Sequence, residues 1–158
     1  MGVVPGCMNS NLTFQLALGS GLIISTIIIS VVLIAAAIQV LLFLANKVSR
    51  GHHTLESMLA LIVTTTWFVF VVTVNVWIWA GAFLALGVFS SLEEALYFSL
   101  VSFTTLGFGD IILPEQWRLL SGFTATAGFI LFGLGTAFLF EIMSRYYNEN
   151  RRRRDKKH

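Results

Sequence analysis

The chain has 158 residues, of which 56% are hydrophobic and only 11% are charged, with a formal net charge of +2. A soluble domain of this length could not bury so much apolar surface, so the composition excludes a soluble protein and predicts an integral membrane protein. The lone Cys7 excludes an intrachain disulfide, and nothing in the sequence suggests a site for a structural metal.

Three long stretches are nearly free of charged residues, and they contain apolar runs at residues 16–45, 59–86 and 119–143. Each run exceeds the ~20 residues needed to cross the ~30 Å hydrocarbon core of a bilayer. The first run is a poor secretory signal peptide, because no Lys or Arg precedes it and its apolar part is too long. The sequence therefore predicts three transmembrane helices.

A fourth apolar stretch, residues 92–103, is too short to span the membrane. It predicts a re-entrant half-helix, which is tolerated at membrane depth only where protein or a water-filled cavity surrounds it. Ser91 followed by Glu94 matches a capping box, and Glu93 and Glu94 suit the positive end of the helix dipole. The carboxyl end would then point toward the bilayer centre, where its partial negative charge favours a cation.

Residues 104–110 follow this short helix and read Thr-Thr-Leu-Gly-Phe-Gly-Asp. A Thr-x-Gly-aromatic-Gly-Asp run between two membrane spans resembles the selectivity filter of potassium channels, where backbone carbonyls replace the hydration shell of the ion. For all the carbonyls to face one axis, the backbone must alternate into conformations with φ > 0, which Gly107 and Gly109 reach without steric cost. The alternative is a polar turn between two helices, where Gly-Asp is common.

The resemblance implies a role for each residue of this run. K⁺ would be bound by successive rings of backbone carbonyls from Thr105, Leu106, Gly107 and Phe108. Gly109 would complete the filter, the Thr105 hydroxyl would add to the lowest ion site, and Asp110 would place a carboxylate at the outer mouth. No cofactor is expected besides K⁺ as the permeant ion.

From Glu94 onward the chain resembles the pore domain of the two-transmembrane potassium channels of bacteria. The family pattern of outer helix, pore helix, filter and inner helix covers roughly residues 59–143 here. It is most similar to small prokaryotic ion channel proteins that carry one further amino-terminal span. The resemblance implies an all-α membrane protein with three transmembrane helices, a re-entrant pore helix and a filter loop, assembled as a tetramer. We expect the first span to pack outside the outer helix, facing lipid.

The third span has one face on which polar and aromatic residues recur at helical spacing, namely Phe129, Phe132, Thr136, Phe140 and Ser144. In the family this face lines the central cavity. Phe132 and Thr136 would then flank the cavity, and Phe140 could form a hydrophobic constriction that gates by dewetting. The alternative is ordinary packing against lipid or another helix.

Three glycines lie in the same span, at Gly128, Gly133 and Gly135. Gly128 aligns with the inner-helix hinge of the family, where a bend opens the pore. All three could equally be close-packing sites, since small residues are frequent at membrane helix interfaces, and we expect packing at one of them at least.

The chain departs from the family pattern around the filter. Phe108 replaces the commoner tyrosine, Tyr97 and Phe98 stand where some members have two tryptophans, and Val101 occupies the position of a buried acidic residue in some bacterial members. These differences leave the rigidity of the filter and its K⁺/Na⁺ selectivity open. Conduction itself depends on the backbone and the two glycines.

The basic residues predict the orientation. Lys47 and Arg50 follow the first span, while Arg151, Lys157 and the basic residues between them follow the third, so both groups lie on one side. The positive-inside rule makes that side cytoplasmic, in a plasma membrane such as the bacterial inner membrane. The basic cluster could bind anionic lipid headgroups or act only as a topological anchor, and a nucleic-acid role is not expected.

These predictions divide the chain into an amino-terminal part with the extra helix (1–46), a cytoplasmic loop (47–58), a pore domain (59–143) and a basic tail (144–158). The leading hypothesis is a passive, homotetrameric potassium channel without enzymatic activity. The alternatives are a weakly selective cation channel, a potassium transporter subunit, and a non-conducting accessory or sensor protein. No segment carries Arg or Lys at every third position, so a voltage sensor is not predicted and the gating stimulus is open.

Overall fold

The structure is a computed structural model that describes residues 5–47 and 53–155, with side chains described over residues 12–40, at 59 and over 61–144. Its elements are, in chain order, α1 (Pro5–Lys47), α2 (His53–Ala85), α3 (Leu92–Phe103), a short 3₁₀ helix (Glu115–Trp117) and α4 (Arg118–Asp155). The predicted all-α class is confirmed. Residues 48–52 of the predicted cytoplasmic loop, residues 156–158, and the side chains of the basic tail from residue 145 onward lie outside the described residues.

Three segments are long and apolar enough to cross a membrane, namely Leu12–Val40, Leu61–Ala85 and Glu115–Ser144. At 1.5 Å per residue, even the shortest of them is about 37 Å long, more than the ~30 Å core. In lipid, a helix is favoured because it satisfies every backbone hydrogen-bonding group within itself. The three predicted spans are therefore present, and α3, at about 18 Å, is too short to be a fourth.

Hydroxyl groups within the spans bond to the backbone of their own helix. Ser30 Oγ donates to Thr26 O (2.7 Å) in α1, and Thr124 Oγ1 donates to Leu120 O (2.8 Å) in α4. The proton of each hydroxyl thereby finds an acceptor within its own helix. Serine and threonine are consequently compatible with uninterrupted helices at membrane depth.

The direction of the helices follows from their contacts. Phe14 in α1 lies edge-on to Trp117 just before α4, with ring centroids 6.4 Å apart. Further along both helices, Ala37 of α1 clusters with Phe138 and Ile142 of α4. α1 and α4 are therefore parallel, and both begin on the side of the filter loop and end on the opposite side, as the predicted topology requires.

α1 is joined to α2 by hydrogen bonds inside the membrane region. Three donors of α2 reach acceptors of α1: Trp79 Nε1 to Thr26 Oγ1 (3.1 Å), Asn75 Nδ2 to Ser30 Oγ (3.0 Å) and Trp67 Nε1 to Leu33 O (3.1 Å). In these three pairs, the residue numbers in α2 decrease as those in α1 increase, so the two helices are antiparallel.

α1 also packs directly on α4, so the expectation that it lies only outside the outer helix is incomplete. Gly19 approaches the ring of Phe123 so closely that an added Cβ would lie 2.6 Å from the ring carbon Cγ. Near the other end, Ala37 is buried against Phe138. The physical reason is size: small residues on α1 leave room for aromatic rings of α4, so α1 lies between α2 and α4.

The largest buried cluster joins α2, α3 and α4 and positions the short helix. Trp79, Phe83 and Phe103 are fully buried in it, together with Leu120 and Leu131 of α4. In lipid, such helices associate through close packing and not through the hydrophobic effect, because lipid tails are as apolar as the side chains. This cluster holds α3 and the loop after it against the two long helices.

Candidate selectivity filter and pore-facing helix

The short helix α3 has the predicted bounds and a defined amino-terminal cap. Ser91 is extended (φ −116°, ψ 136°), and its Oγ accepts a hydrogen bond from the backbone N–H of Glu93 (3.2 Å). Glu93 and Glu94 lie in the first turn, where the helix dipole favours negative charge. The cap fixes where α3 begins, and α3 in turn fixes where the filter loop starts.

The backbone N–H groups of the filter loop are held by the carboxyl end of α3. The Thr105 N–H donates to Ser102 O (3.0 Å), and Val101 O accepts from both Leu106 (3.0 Å) and Gly107 (3.3 Å). These bonds use helix-end carbonyls that have no partner within the helix. Among the described residues, no carbonyl of residues 105–109 accepts a hydrogen bond from the backbone. The N–H groups of residues 105–107 are thus directed toward α3, while the loop carbonyls stay free of backbone donors among the described residues.

The filter backbone alternates in handedness. Thr105 (φ 61°), Gly107 (φ 54°) and Gly109 (φ 76°) have positive φ, whereas Leu106 and Phe108 between them do not. Reversing the sign of φ at every second residue turns alternate peptide planes over, so that successive carbonyls can face one side. The positive φ predicted for the two glycines is present.

Thr105 was not predicted to adopt this conformation. A left-handed conformation costs a residue with a side chain roughly 1–2 kcal/mol, because its Cβ crowds the following carbonyl. The two hydrogen bonds that Val101 O accepts, together with the bond to Ser102 O, hold the loop in place. The available signal in the sequence was spacing, since Thr105 precedes the two glycines at the same two-residue interval.

Asp110 at the outer end of the filter is bonded to α3. Tyr97 Oη donates to Asp110 Oδ2 (2.5 Å), and the backbone N–H of Ile111 donates to Asp110 Oδ1 (3.1 Å). The hydrogen bond from Tyr97 lowers the pKa of Asp110 below its ordinary value. The carboxylate is therefore ionised near neutral pH, and the outer end of the filter is tied to the pore helix. Sequence reasoning missed this pair because it joins residues 13 positions apart.

Phe98 anchors α3 to α2 instead of forming part of a filter-facing aromatic layer within the chain. Its ring lies 5.3 Å from that of Phe83 and 5.4 Å from that of Phe89, measured between centroids. Such aromatic pairs contribute roughly 0.5–1.5 kcal/mol beyond their buried area. The side chains of Leu106 and Phe108 are, by contrast, 61% and 66% exposed. The single chain leaves the filter side chains uncovered.

The predicted pore-facing residues of α4 share a face that the chain itself does not cover. Phe129 and Phe140 are 73% and 74% exposed, and Thr136 is exposed with its Oγ1 bonded to Phe132 O (2.9 Å). Phe132 lies at the edge of this face, because its ring also contacts that of Phe68 in α2 (6.0 Å between centroids). The opposite face of α4 is buried by the other helices, so the uncovered face is distinct.

Two of the three glycines in α4 are sites of close approach. A Cβ added at Gly128 would lie 2.7 Å from the Phe103 carbonyl carbon and nearer still to its oxygen, and one at Gly135 would lie 2.8 Å from the ring carbon Cδ2 of Phe68. A Cβ at Gly133 would meet nothing within 4 Å. α4 is continuous through Gly128 in this structure, so the hinge stays a prediction, while the packing role has a defined partner.

In the described part of the chain, no group of three or more His, Cys, Asp or Glu side chains could hold a metal ion. The loop with alternating φ, its exposed carbonyls and the dipole of α3 are the features suited to a cation. Three membrane helices that carry such a loop between the second and third define a membrane protein of the channel class.

Comparison with known families agrees with this class. Residues 57–145, more than half of the chain, match the profile of the ion channel family, so the protein belongs to that family of two-transmembrane channels. Searches of curated proteins and of solved structures gave no match. The matched region covers α3, the filter loop and most of α2, ends within α4, and leaves α1 outside. The protein is thus a multi-pass membrane protein of the ion channel family with an additional amino-terminal helix.

Proposed function

We propose that this protein is a potassium-selective channel that conducts K⁺ passively through a pore formed by four copies of the chain. The observation that carries the proposal is the alternation of φ at Thr105, Gly107 and Gly109, combined with the backbone N–H groups of residues 105–107 that donate to the end of α3. A polar turn between helices needs neither feature. A column of carbonyls facing an ion needs both.

In this proposal, K⁺ exchanges its water shell for successive rings of carbonyl oxygens from residues 105–108. The carboxyl end of α3 lies directly beneath the filter and adds a partial negative charge on the inner side. The Thr105 hydroxyl contributes to the innermost site. Adjacent ions repel each other, which keeps each site weak enough for the ion to leave.

Several copies are required because one chain supplies only one wall of the pore. In this proposal, the exposed side chains of Leu106 and Phe108 and the uncovered face of α4 with Phe129 and Phe140 face partner copies or a water-filled cavity instead of lipid. A closed ring of identical subunits covers all of them at once. The family resemblance favours four subunits, with Phe132, Thr136 and Phe140 lining the cavity and gate and Gly128 as a hinge.

Asp110 is proposed to concentrate cations at the outer mouth, since its lowered pKa keeps it charged. The orientation proposed from the positive-inside rule has the filter outside and the carboxyl terminus in the cytoplasm, in a bacterial inner membrane or comparable plasma membrane. The basic cluster from Arg151 to Lys157 is proposed to contact anionic lipid headgroups, on the basis of its charge alone. No cofactor takes part in this mechanism.

The experiment is ion flux through liposomes that contain the purified protein, with K⁺ and Na⁺ gradients compared side by side. K⁺ flux that barium blocks, with little Na⁺ flux, is the expected result. Equal flux of both ions would support a channel but reject K⁺ selectivity, and it would point to Phe108 as the cause of the lost selectivity. Absence of flux for either ion would favour the non-conducting accessory protein.

Two glycine variants make this test specific to the filter. Gly107 (φ 54°) and Gly87 (φ 67°) both have positive φ, and an added Cβ would meet nothing within 4 Å at either one. Gly107→Ala and Gly87→Ala therefore introduce the same strain, roughly 1–2 kcal/mol each. We expect Gly107→Ala to abolish selective K⁺ flux and Gly87→Ala, in the turn between α2 and α3, to retain it. Equal loss in both variants would contradict a role for the alternating backbone.

A further inference from the structure

α1 is held in two different ways by the helices on either side of it. On the α2 side, the acceptors Thr26 and Ser30 and the donors Asn75 and Trp79 are all fully or almost fully buried. Both N–H bonds of the Asn75 amide are used, one to Ser30 Oγ and one to Val71 O (2.8 Å). In hydrocarbon, a group that loses such a partner finds no water to replace it. These directional bonds make α1 and α2 move as one unit.

On the α4 side, the close contacts described for α1 are apolar and lack the direction that a hydrogen bond has. Gly19 receives the ring of Phe123, and Ala37 packs with Phe138 and Ile142. Apolar surfaces of packed helices can slide over one another by small shear movements without breaking specific bonds. α4 is therefore the element that can shift relative to the α1–α2 unit.

The two halves of α4 differ in how firmly they are held. On the filter side, Gly128 lies against the backbone of Phe103, where neither group can move aside. Beyond Gly128, the contacts are with side chains: Phe68 of α2 opposite Gly135, and Ala37 of α1 opposite Phe138. In the half of α4 that carries Phe140, the described contacts are therefore with side chains, whose size limits how closely the helices approach.

We propose that α1 acts as a brace that limits how far this half of α4 can move outward, and that Ala37 sets the limit; this inference rests on the proposed channel function. Phe138 and Phe140 are two positions apart, hence about 200° apart around a helix. Phe138 is buried toward α1, whereas Phe140 is 74% exposed on the opposite, pore-facing side. Outward movement of α4, which widens the pore, presses Phe138 into Ala37.

Adjacent alanines provide a matched test. Ala37 is 5% exposed against α4, whereas Ala36 is exposed. We expect Ala37→Leu to lower the open probability in planar bilayers by about fivefold or more, since overpacking biases an equilibrium by such factors. Ala36→Leu, with the same added volume, should leave the open probability unchanged. Single-channel conductance and the K⁺/Na⁺ permeability ratio should be unaltered in both variants, because the filter is not touched.

The opposite change should have the opposite effect. Phe138→Ala removes the ring that meets Ala37, so α4 can move further outward and the open probability should rise. This variant keeps the proposal testable if Ala37→Leu does not assemble. An open probability that is the same in Ala36→Leu and Ala37→Leu, or that falls in Phe138→Ala, overturns the brace.

A distance measurement separates this inference from the proposed function. Met143 is exposed near the end of the membrane-spanning segment Glu115–Ser144, so a spin label at Met143→Cys, with Cys7→Ser to remove the native thiol, reports distances between subunits. Ala37→Leu should shorten these distances and Phe138→Ala should lengthen them, even in a protein that conducts nothing. If the variants shift the distances although the wild-type protein conducts no ions, the proposed channel function is rejected and the role of α1 as a brace is retained. If the wild-type protein conducts K⁺ selectively but the variants leave the distances unchanged, the channel function is retained and the role of α1 as a brace is rejected.

Discussion

Gly128→Ala is the substitution for which the structure makes the sharpest prediction. The added Cβ would lie 2.7 Å from the carbonyl carbon of Phe103. Carbon atoms that are not bonded rest about 3.5–4.0 Å apart, so α3 and α4 must separate by about 1 Å or more. Both groups belong to the backbone, and neither can rotate away. We therefore expect a cost near the top of the range for overpacking, about 3 kcal/mol.

The consequence reaches the filter through the end of α3. Phe103 follows Val101 and Ser102, whose carbonyls accept the N–H groups of residues 105–107. A displacement of this helix end moves those acceptors by a comparable distance, so the proposed filter would lose the spacing of its carbonyls. We expect Gly128→Ala to lose K⁺ selectivity and to reduce the thermal stability of the assembled protein in detergent, measured by flux and by thermal dissociation.

Two other glycines of α4 serve as graded controls. A Cβ at Gly122 meets nothing within 4 Å, and one at Gly135 meets the ring of Phe68, which can rotate away. The expected order of damage is Gly128→Ala, then Gly135→Ala, then Gly122→Ala. If Gly128→Ala retains selectivity and stability but changes only the open probability, Gly128 is a hinge and the packing argument is wrong.

Two further predictions concern hydrogen bonds. Tyr97→Phe removes the hydrogen bond that lowers the pKa of Asp110, so this pKa should rise. As the external pH falls, K⁺ flux should then begin to decline at a higher pH than in the wild type. Identical pH profiles would show that the bond does not act on conduction. Trp79→Phe removes the hydrogen-bond donor to Thr26 and should lower the free energy of unfolding by about 1 kcal/mol. Thr73→Val loses only a bond within its own helix and should lower it by less. The reverse order would contradict the role of the α1–α2 bonds.

The sequence by itself determined the features that depend on local composition. Three charge-poor stretches predicted the spans, and the short run at 92–103 between Ser91 and the filter predicted α3 with its correct bounds. Gly107 and Gly109 predicted positive φ, because glycine reaches that conformation without steric cost. Each of these inferences needs only neighbours in the chain, which is why one sequence sufficed.

Only the tertiary structure decided which faces of the helices meet. It placed α1 between α2 and α4, paired Tyr97 with Asp110, and set Gly128 against Phe103. The buried face of a soluble helix is marked by an apolar stripe, but apolar residues occur on every side of α1 because lipid and protein are equally apolar surroundings. The choice of face then depends on size and shape at contacts between distant residues, such as Gly19 with Phe123, and such complementarity exists only once the helices have packed.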